Sequence, residues 1–198
     1  MRAGLLLLIG AAGCALLGKN DPQVPRYYTP EYEAGAPAAR ARSDLLLRLG
    51  RVEGWAHLRE RMAVRSSARE LTYSEDRRWT ERPEIYLRRA LSRALFEEQG
   101  VVESLSGQGF TLDVELIAFE EVEQPHTARL EALLILRDNR VALLQETVTV
   151  VQPVEPVKGE EPAGAVAGAL SRALHSAVTR IADRVVARLS GEAGRAAR

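Results

Sequence analysis

The residue whose setting points to a definite reaction is Cys14, the only cysteine among 198 residues. It follows Ala11, Ala12 and Gly13. Behind these lies an unbroken apolar and small-residue run from position 3, with Arg2 ahead of it. A basic start, a short apolar core and small residues before a cut make up an export signal. The run falls short of the ~20 apolar residues that a membrane-spanning helix needs. A peptidase cutting before Cys14 leaves a free amine and a thiol on one residue, and both accept acyl chains. Each buried methylene then contributes about 0.8 kcal/mol of membrane affinity. Lipid attachment, not disulfide chemistry, is therefore the expectation at Cys14, since one cysteine cannot form an internal bridge.

Small residues abutting a cysteine resemble a bacterial lipobox, with Ala11 standing where leucine is usual. The residue after the cysteine is Ala15 rather than aspartate, which in the usual sorting rule directs such a chain to the outer membrane. Two other readings stand beside this one. In the first, a plain secretory signal carries an incidental cysteine. In the second, a cytosolic protein has a wrongly assigned start, which would leave an unpaired apolar tail.

Elsewhere the reactive side chains are scattered. His57, His126 and His175 belong to no Cys-x-x-Cys, His-x-x-x-His or His-Glu-x-x-His pattern. No Gly-x-Ser-x-Gly elbow and no phosphate loop occur. No catalytic, metal or cofactor site is expected on these grounds. Glu120, Glu121 and Glu123 form an acidic cluster at a strand end; it reads as a solvated face, or else as a contact for a basic partner. Arg77, Arg78 and Trp79 with Arg82 have two readings as well. They touch lipid headgroups or a partner, or Trp79 buries itself at a helix start while the arginines stay wet. With Tyr27 and Tyr28, Arg78 and Trp79 make up the candidate contact set. The 27 basic and 27 acidic residues balance, so no basic field recruits nucleic acid.

The elements that must position these groups follow from periodicity. Residues 15–26 contain Gly18, Asn20, Asp21, Pro22 and Pro25 and read as a tether. Tyr27-Tyr28-Thr29-Pro30 predicts a short edge strand, because proline cannot donate to a ladder. Residues 33–42 read as a loop, and 43–52 as a strand buried on both faces. Residues 53–61 read as one helical turn carrying Trp55 and Leu58. Residues 62–66 and 70–74 predict a short hairpin. A helix over 82–99 puts Leu87, Leu91 and Leu95 on one stripe with Ala90 and Ala94. Thr80 or Glu81 caps it, Pro83 sits in its first turn and Gly100 stops it. Alternating strands over 110–118, 128–136 and 141–151 predict a meander turning at Asp138-Asn139. A final helix over 163–189 carries a seam of Val166, Leu170, Leu174, Val178, Ile181, Val185 and Leu189.

Two main helices packed on an antiparallel sheet, a two-layer α+β domain, is the fold expected. The expected organisation is an export signal over 1–13, a lipidated cysteine and tether over 14–26, one domain over 27–190 and a frayed tail over 191–198.

The order of elements resembles the PqiC-like family of ABC-type transport auxiliary lipoproteins. The residues that carry the likeness are Tyr27-Tyr28-Thr29-Pro30, Arg78-Trp79 with the helix that follows, Leu112-Asp113-Val114-Glu115, and Ala169-Leu170 with the helix to Leu189. After the tryptophan the family pattern usually runs Glu-Pro-Leu; here Arg82 is inserted between Glu81 and Pro83, and Glu84 replaces the leucine. The resemblance implies a non-enzymatic envelope component anchored to the outer membrane and facing the periplasm. It also implies partners in MCE-domain proteins and an inner-membrane ABC transporter that move phospholipids or similar molecules, and assembly of copies into rings. One alternative is a lipoprotein supporting lipopolysaccharide or outer-membrane protein insertion. Another is an envelope hydrolase, which lacks a visible nucleophile and base.

Overall fold

The structure, a computed structural model, describes residues 24–33, 46–106, 108–138, 141–156 and 162–196. The expected export signal, Cys14 and most of the tether lie outside these residues. So do the predicted loop at 34–42, the first residues of the predicted strand at 43–45, and Asn139 of the predicted turn. In chain order the elements are β1 (Arg26–Tyr28), β2 (Leu46–Gly54), β3 (Arg61–Ser67), β4 (Glu70–Trp79), α1 (Pro83–Ser92), a π-helical turn (Arg93–Glu98), β5 (Val102–Glu103), β6 (Phe110–Val122), β7 (Thr127–Arg137), β8 (Ala142–Pro153) and α2 (Pro162–Ala196).

β6 is the strand against which the others are laid. On one side it pairs antiparallel with β7 from Thr111↔Arg137 to Val122↔Thr127, and β7 pairs antiparallel with β8, so the predicted meander is present. On its other side lie two strands in line, both parallel to β6. β2 runs along Phe110 to Leu116, and β3 along Glu120 to Val122. The break between them, where the Trp55 amide donates to the Leu116 carbonyl at 3.0 Å, sits opposite a bulge in β6 between Leu116 and Ala118. β3 and β4 form the expected hairpin, β1 is the expected edge strand, parallel to β4, and β5 adds two residues beside β2.

The two-layer α+β class holds, but the sheet is mixed rather than antiparallel throughout. Alternation records which face a side chain takes, not the direction of the neighbouring strand. The long connection through α1 allows β6 to return parallel to β2 and β3.

Every residue of the predicted α2 seam is buried, as are Leu87, Leu91 and Leu95 on the shorter helix. They meet Leu112, Val114 and Leu116 of β6 and the alternate residues Ala128 to Leu136 of β7. Each such leucine contributes roughly 1.5–3 kcal/mol by leaving water. Ala169, Ala173 and Ala177 lie fully buried on α2, where small side chains let the helix sit close to the sheet.

Three local expectations change. β2 alternates, with Leu47 and Leu49 buried and Leu46 and Arg48 exposed, so it is covered on one face only. The helix predicted to end at Gln99 gives way to the π-helical turn, in which the Gln99 amide donates to the Ala94 carbonyl at 2.9 Å. Gly100 then stops it at φ +68°, a conformation glycine adopts without steric cost. α2 runs to Ala196, so residues 191–196 are helical where a frayed tail is expected.

Candidate partner-binding surface

The four residues singled out as contacts do meet, at the β1 corner. Parallel pairing sets Tyr27 beside Arg78 and Tyr28 beside Trp79. Residues paired in register share a face, so the set divides. Tyr27, 63% exposed, and half-buried Arg78 take the outward face; Tyr28 and Trp79 turn inward. Trp79 is 1% exposed, packed 5.2 Å from the Phe119 ring and edge-on to Tyr86 at 6.4 Å. It is a core residue and cannot meet a partner: the pleat at the end of β4 points it under α1, whose Tyr86 closes over it. The Arg78 Nε is buried without a hydrogen-bond partner.

Beyond β1 the chain crosses to the helices. The Thr80 amide donates to the Tyr28 carbonyl, the Thr29 and Thr80 hydroxyls share a hydrogen bond, and the Glu31 amide donates to Ser171 Oγ. Tyr32 pins the segment. Its hydroxyl donates to Glu98 Oε2 at 2.9 Å and its ring stacks 5.3 Å from His175. Burial, then the adjoining Glu98 carboxylate, push the Tyr32 phenol well above its usual range. The π-helical turn places Glu98 there. Between this segment and α2 lies a cleft of about 650 Å³ lined by Glu31, Gln152, Ser171, Arg172 and His175. His175 is thus a boundary residue, as its place on the helix suggests.

The helices cover one face of the sheet; the other carries the more telling groups. Gly54 faces α1, where an added Cβ would come 2.8 Å from Glu84 Oε2, so Trp55, next in the chain, turns the opposite way. It is 49% exposed and edge-on to His57 at 6.2 Å. His57 takes its place among Tyr73, Arg65, Arg129 and Glu120: the Tyr73 hydroxyl donates to the His57 carbonyl at 3.0 Å. Burial lowers the His57 imidazole below its ordinary value, against the pull of the Glu120 charge. Trp55 thus stands half-exposed over His57, whose carbonyl Tyr73 holds, and tryptophan is among the residue types most enriched at interface hot spots. This arrangement could not be found in the sequence, where Trp55 sits in a stretch without periodicity.

The acidic cluster is not a solvated face. Glu120 is 0% exposed and accepts from Arg65 Nε at 2.7 Å, Arg65 Nη2 at 3.0 Å and Arg129 Nε at 3.0 Å. Glu121 is 9% exposed and bound by Arg77 Nη1 at 2.7 Å and His126 Nε2 at 2.9 Å. Only Glu123 stays in water. Consecutive on β6, the two take opposite faces, Glu120 in register with Arg129 and Glu121 with core residue Ala128, and on each face buried charge must be paired. The basic partner left open by the sequence is supplied by the chain itself. Among the described residues, no group of three or more His, Cys, Asp or Glu is placed to hold a metal ion, and no helix is long and apolar enough to cross a membrane.

Comparison with known proteins places this architecture. A crystal structure of a DUF330-family protein from Xanthomonas campestris aligns with a TM-score of 0.72 at 18% identity, covering 85% of this chain and 99% of that one. A second solved structure, of an uncharacterised protein, aligns with a TM-score of 0.63 at 14% identity, covering 82% and 99%. At these identities the likeness shows a shared fold. No protein of curated function matches the sequence. The sequence pattern described as ABC-type transport auxiliary lipoprotein component matches residues 29–182, from the end of β1 well into α2. The chain belongs to the ABC-type transport auxiliary lipoprotein component family.

Proposed function

We infer that this protein is a periplasmic auxiliary lipoprotein of an ABC/MCE-type lipid transport system, held to the outer membrane by acyl chains on Cys14. In this reading it docks or scaffolds the transporter and carries out no catalysis. The observation that carries the reading is the family match over residues 29–182, which takes in every long strand and most of α2. The fold supplies a matching device: helices seal one sheet face, while Trp55 and Arg78 stand on parts of the body that the helices leave uncovered. Copies of the chain assemble through such surfaces, and a ring is the expected form.

The test is a photo-crosslinking residue in place of Trp55, activated in intact envelopes. Adducts with an MCE-domain protein are expected; adducts with lipopolysaccharide or outer-membrane insertion machinery instead would replace this reading with the other. Cys14→Ser is expected to release the folded protein from the membrane fraction. If it still sediments with outer membranes, the anchor lies elsewhere.

A further inference from the structure

Where β6 begins, three arginines gather on the helix-free face around one aspartate. Arg48 of β2 pairs in register with Thr111, and Thr111 pairs with Arg137 of β7. The two arginines therefore flank β6 on the same face, ~10 Å apart across two strand spacings. Asp113, two residues along, lies between them and Arg51. It accepts from the Arg51 amide at 2.8 Å through Oδ1 and from Arg137 Nε at 3.0 Å through Oδ2. Burial alone would raise the Asp113 carboxyl. The Arg51 amide and the Arg137 guanidinium outweigh it and hold the group below the usual carboxylate range.

Asp113 is the only carboxylate paired with these arginines among the described residues. Among the described residues that line the recess, three cations face one anion, a surplus of two positive charges. The next carboxylates on this side, Glu53 and Glu115, are paired with each other in register ~7 Å further along. Residue 50 is glycine, and this makes room for the Asp113 carboxylate at the floor: an added Cβ would lie 2.2 Å from Asp113 Oδ1 and 2.8 Å from Thr111 Cγ2. The resulting recess has a volume of about 440 Å³, far more than the ~30 Å³ one water occupies.

We propose that this recess binds a phosphate group, free or at the head of a phospholipid, with Arg48 and Arg51 as its direct ligands and Asp113 as the positioning residue that fixes Arg137. Guanidinium forks donate paired hydrogen bonds to phosphate oxygens. The surplus of two charges matches a phosphate of charge −1 to −2. Asp113 has already taken the position suited to a planar carboxylate, and the outer nitrogens remain for a tetrahedral group. The proposal stands independently of the transport reading.

The experiment uses the full chain carrying Cys14→Ser, with Arg48→Gln/Arg51→Gln as the variant. Both arginines are exposed, so the variant is expected to keep its fold. The probes are inorganic phosphate and a short-chain phosphatidylglycerol below its micelle concentration, against chloride at equal ionic strength. Binding is read by ³¹P line broadening and by the thermal midpoint. Saturable binding that weakens at least tenfold in the variant is expected. Binding of phosphatidylglycerol, with or without phosphate, assigns the lipid headgroup; binding of inorganic phosphate alone assigns the free ion. Absence of binding to both probes, undiminished binding in the variant, or stronger binding of a hexaglutamate peptide would overturn the proposal.

Discussion

Removing the Glu120 carboxylate should be among the most damaging single changes in the sheet. Glu120 is fully buried, and its oxygens are shared by Arg65 and Arg129, whose side chains are 23% and 31% exposed. Glu120→Ala leaves two guanidiniums facing each other without their common anion. Breaking a buried pair by deleting one partner costs ~3–5 kcal/mol. Both arginines reach water and can partly rehydrate, which points to the lower end, about 3 kcal/mol. In a chain of this size 1 kcal/mol moves the melting midpoint by ~2–4 °C, so a fall of about 6–12 °C is expected. Urea unfolding followed by circular dichroism measures it directly, with exposed Glu123→Ala as a control expected within ~0.5 kcal/mol of the parent. A double-mutant cycle with Arg65→Ala should return a coupling of at least ~1 kcal/mol, since the two residues share hydrogen bonds. If Glu120→Ala costs no more than Glu123→Ala, the carboxylate is not the keystone of this face and the account of its burial is wrong.

Three further outcomes are expected. Tyr32→Phe deprives Glu98 of its hydrogen bond while Oε1 already lacks one, which should cost ~1–3 kcal/mol and show as faster amide exchange over residues 29–33. The outer edge of β8 is covered by its own helix: Arg172, Arg180 and Arg188 donate to the carbonyls of Pro153, Thr149 and Leu143. Replacing all three with alanine uncovers a strand edge, and light scattering should then report concentration-dependent association that the parent lacks. For His57 the sign runs from its lowered value: the unfolded imidazole takes up a proton near 6.5, whereas the folded one does so only at lower pH. Stability should therefore fall as pH drops through 6.5 and level off below the folded value, and His57→Gln should flatten that slope in urea midpoints taken between pH 5 and 8.

What could be read beforehand was whatever depends on period. The α2 seam, the Leu87–Leu91–Leu95 stripe and the alternation of β7 each repeat a local rule often enough to be unambiguous, and each is buried as read; on β6 the rule holds from Leu112 to Leu116, after which the bulge gives the core position to Phe119 instead of Ala118. Strand direction was hidden, because Leu47 and Leu49 face the core whether β2 meets its neighbour head-on or side by side. Trp79 precedes an amphipathic helix, a setting that allows a contact or a buried ring alike, and one pleat decides for burial. Trp55 lies where β2 breaks off opposite a bulge, a feature set by two segments some sixty residues apart. Glu120 and Glu121 look solvated because their counter-ions come from β3, β4 and β7. Only the assembled sheet brings Arg65, Arg77 and Arg129 to them.

The same sheet gives the molecule two distinct ends. β1, through which the chain enters the body, sits beside Arg77, which is bonded to Glu121 near the end of β6. The arginine recess gathers around Asp113, eight residues back along the strand, a distance of ~27 Å. With Cys14 as the anchor, the twelve residues from there to Arg26 reach at most ~40 Å. The reach exceeds the separation of the ends. A body standing upright on its anchor would hold the recess away from the membrane, toward whatever approaches from the far side. The same body tipped over would bring the recess back to the surface that anchors it. With residues 14–26 as the tether proposed above, rigidity within the sheet would fix the distance between entry point and recess, and tether length would decide which membrane the recess can meet. Shortening residues 15–23 by six removes ~20 Å of reach. That deletion should abolish crosslinking to a distant partner before it affects folding or phosphate binding, because neither depends on the tether. Loss of all three together would mean that the tether is part of the folded body.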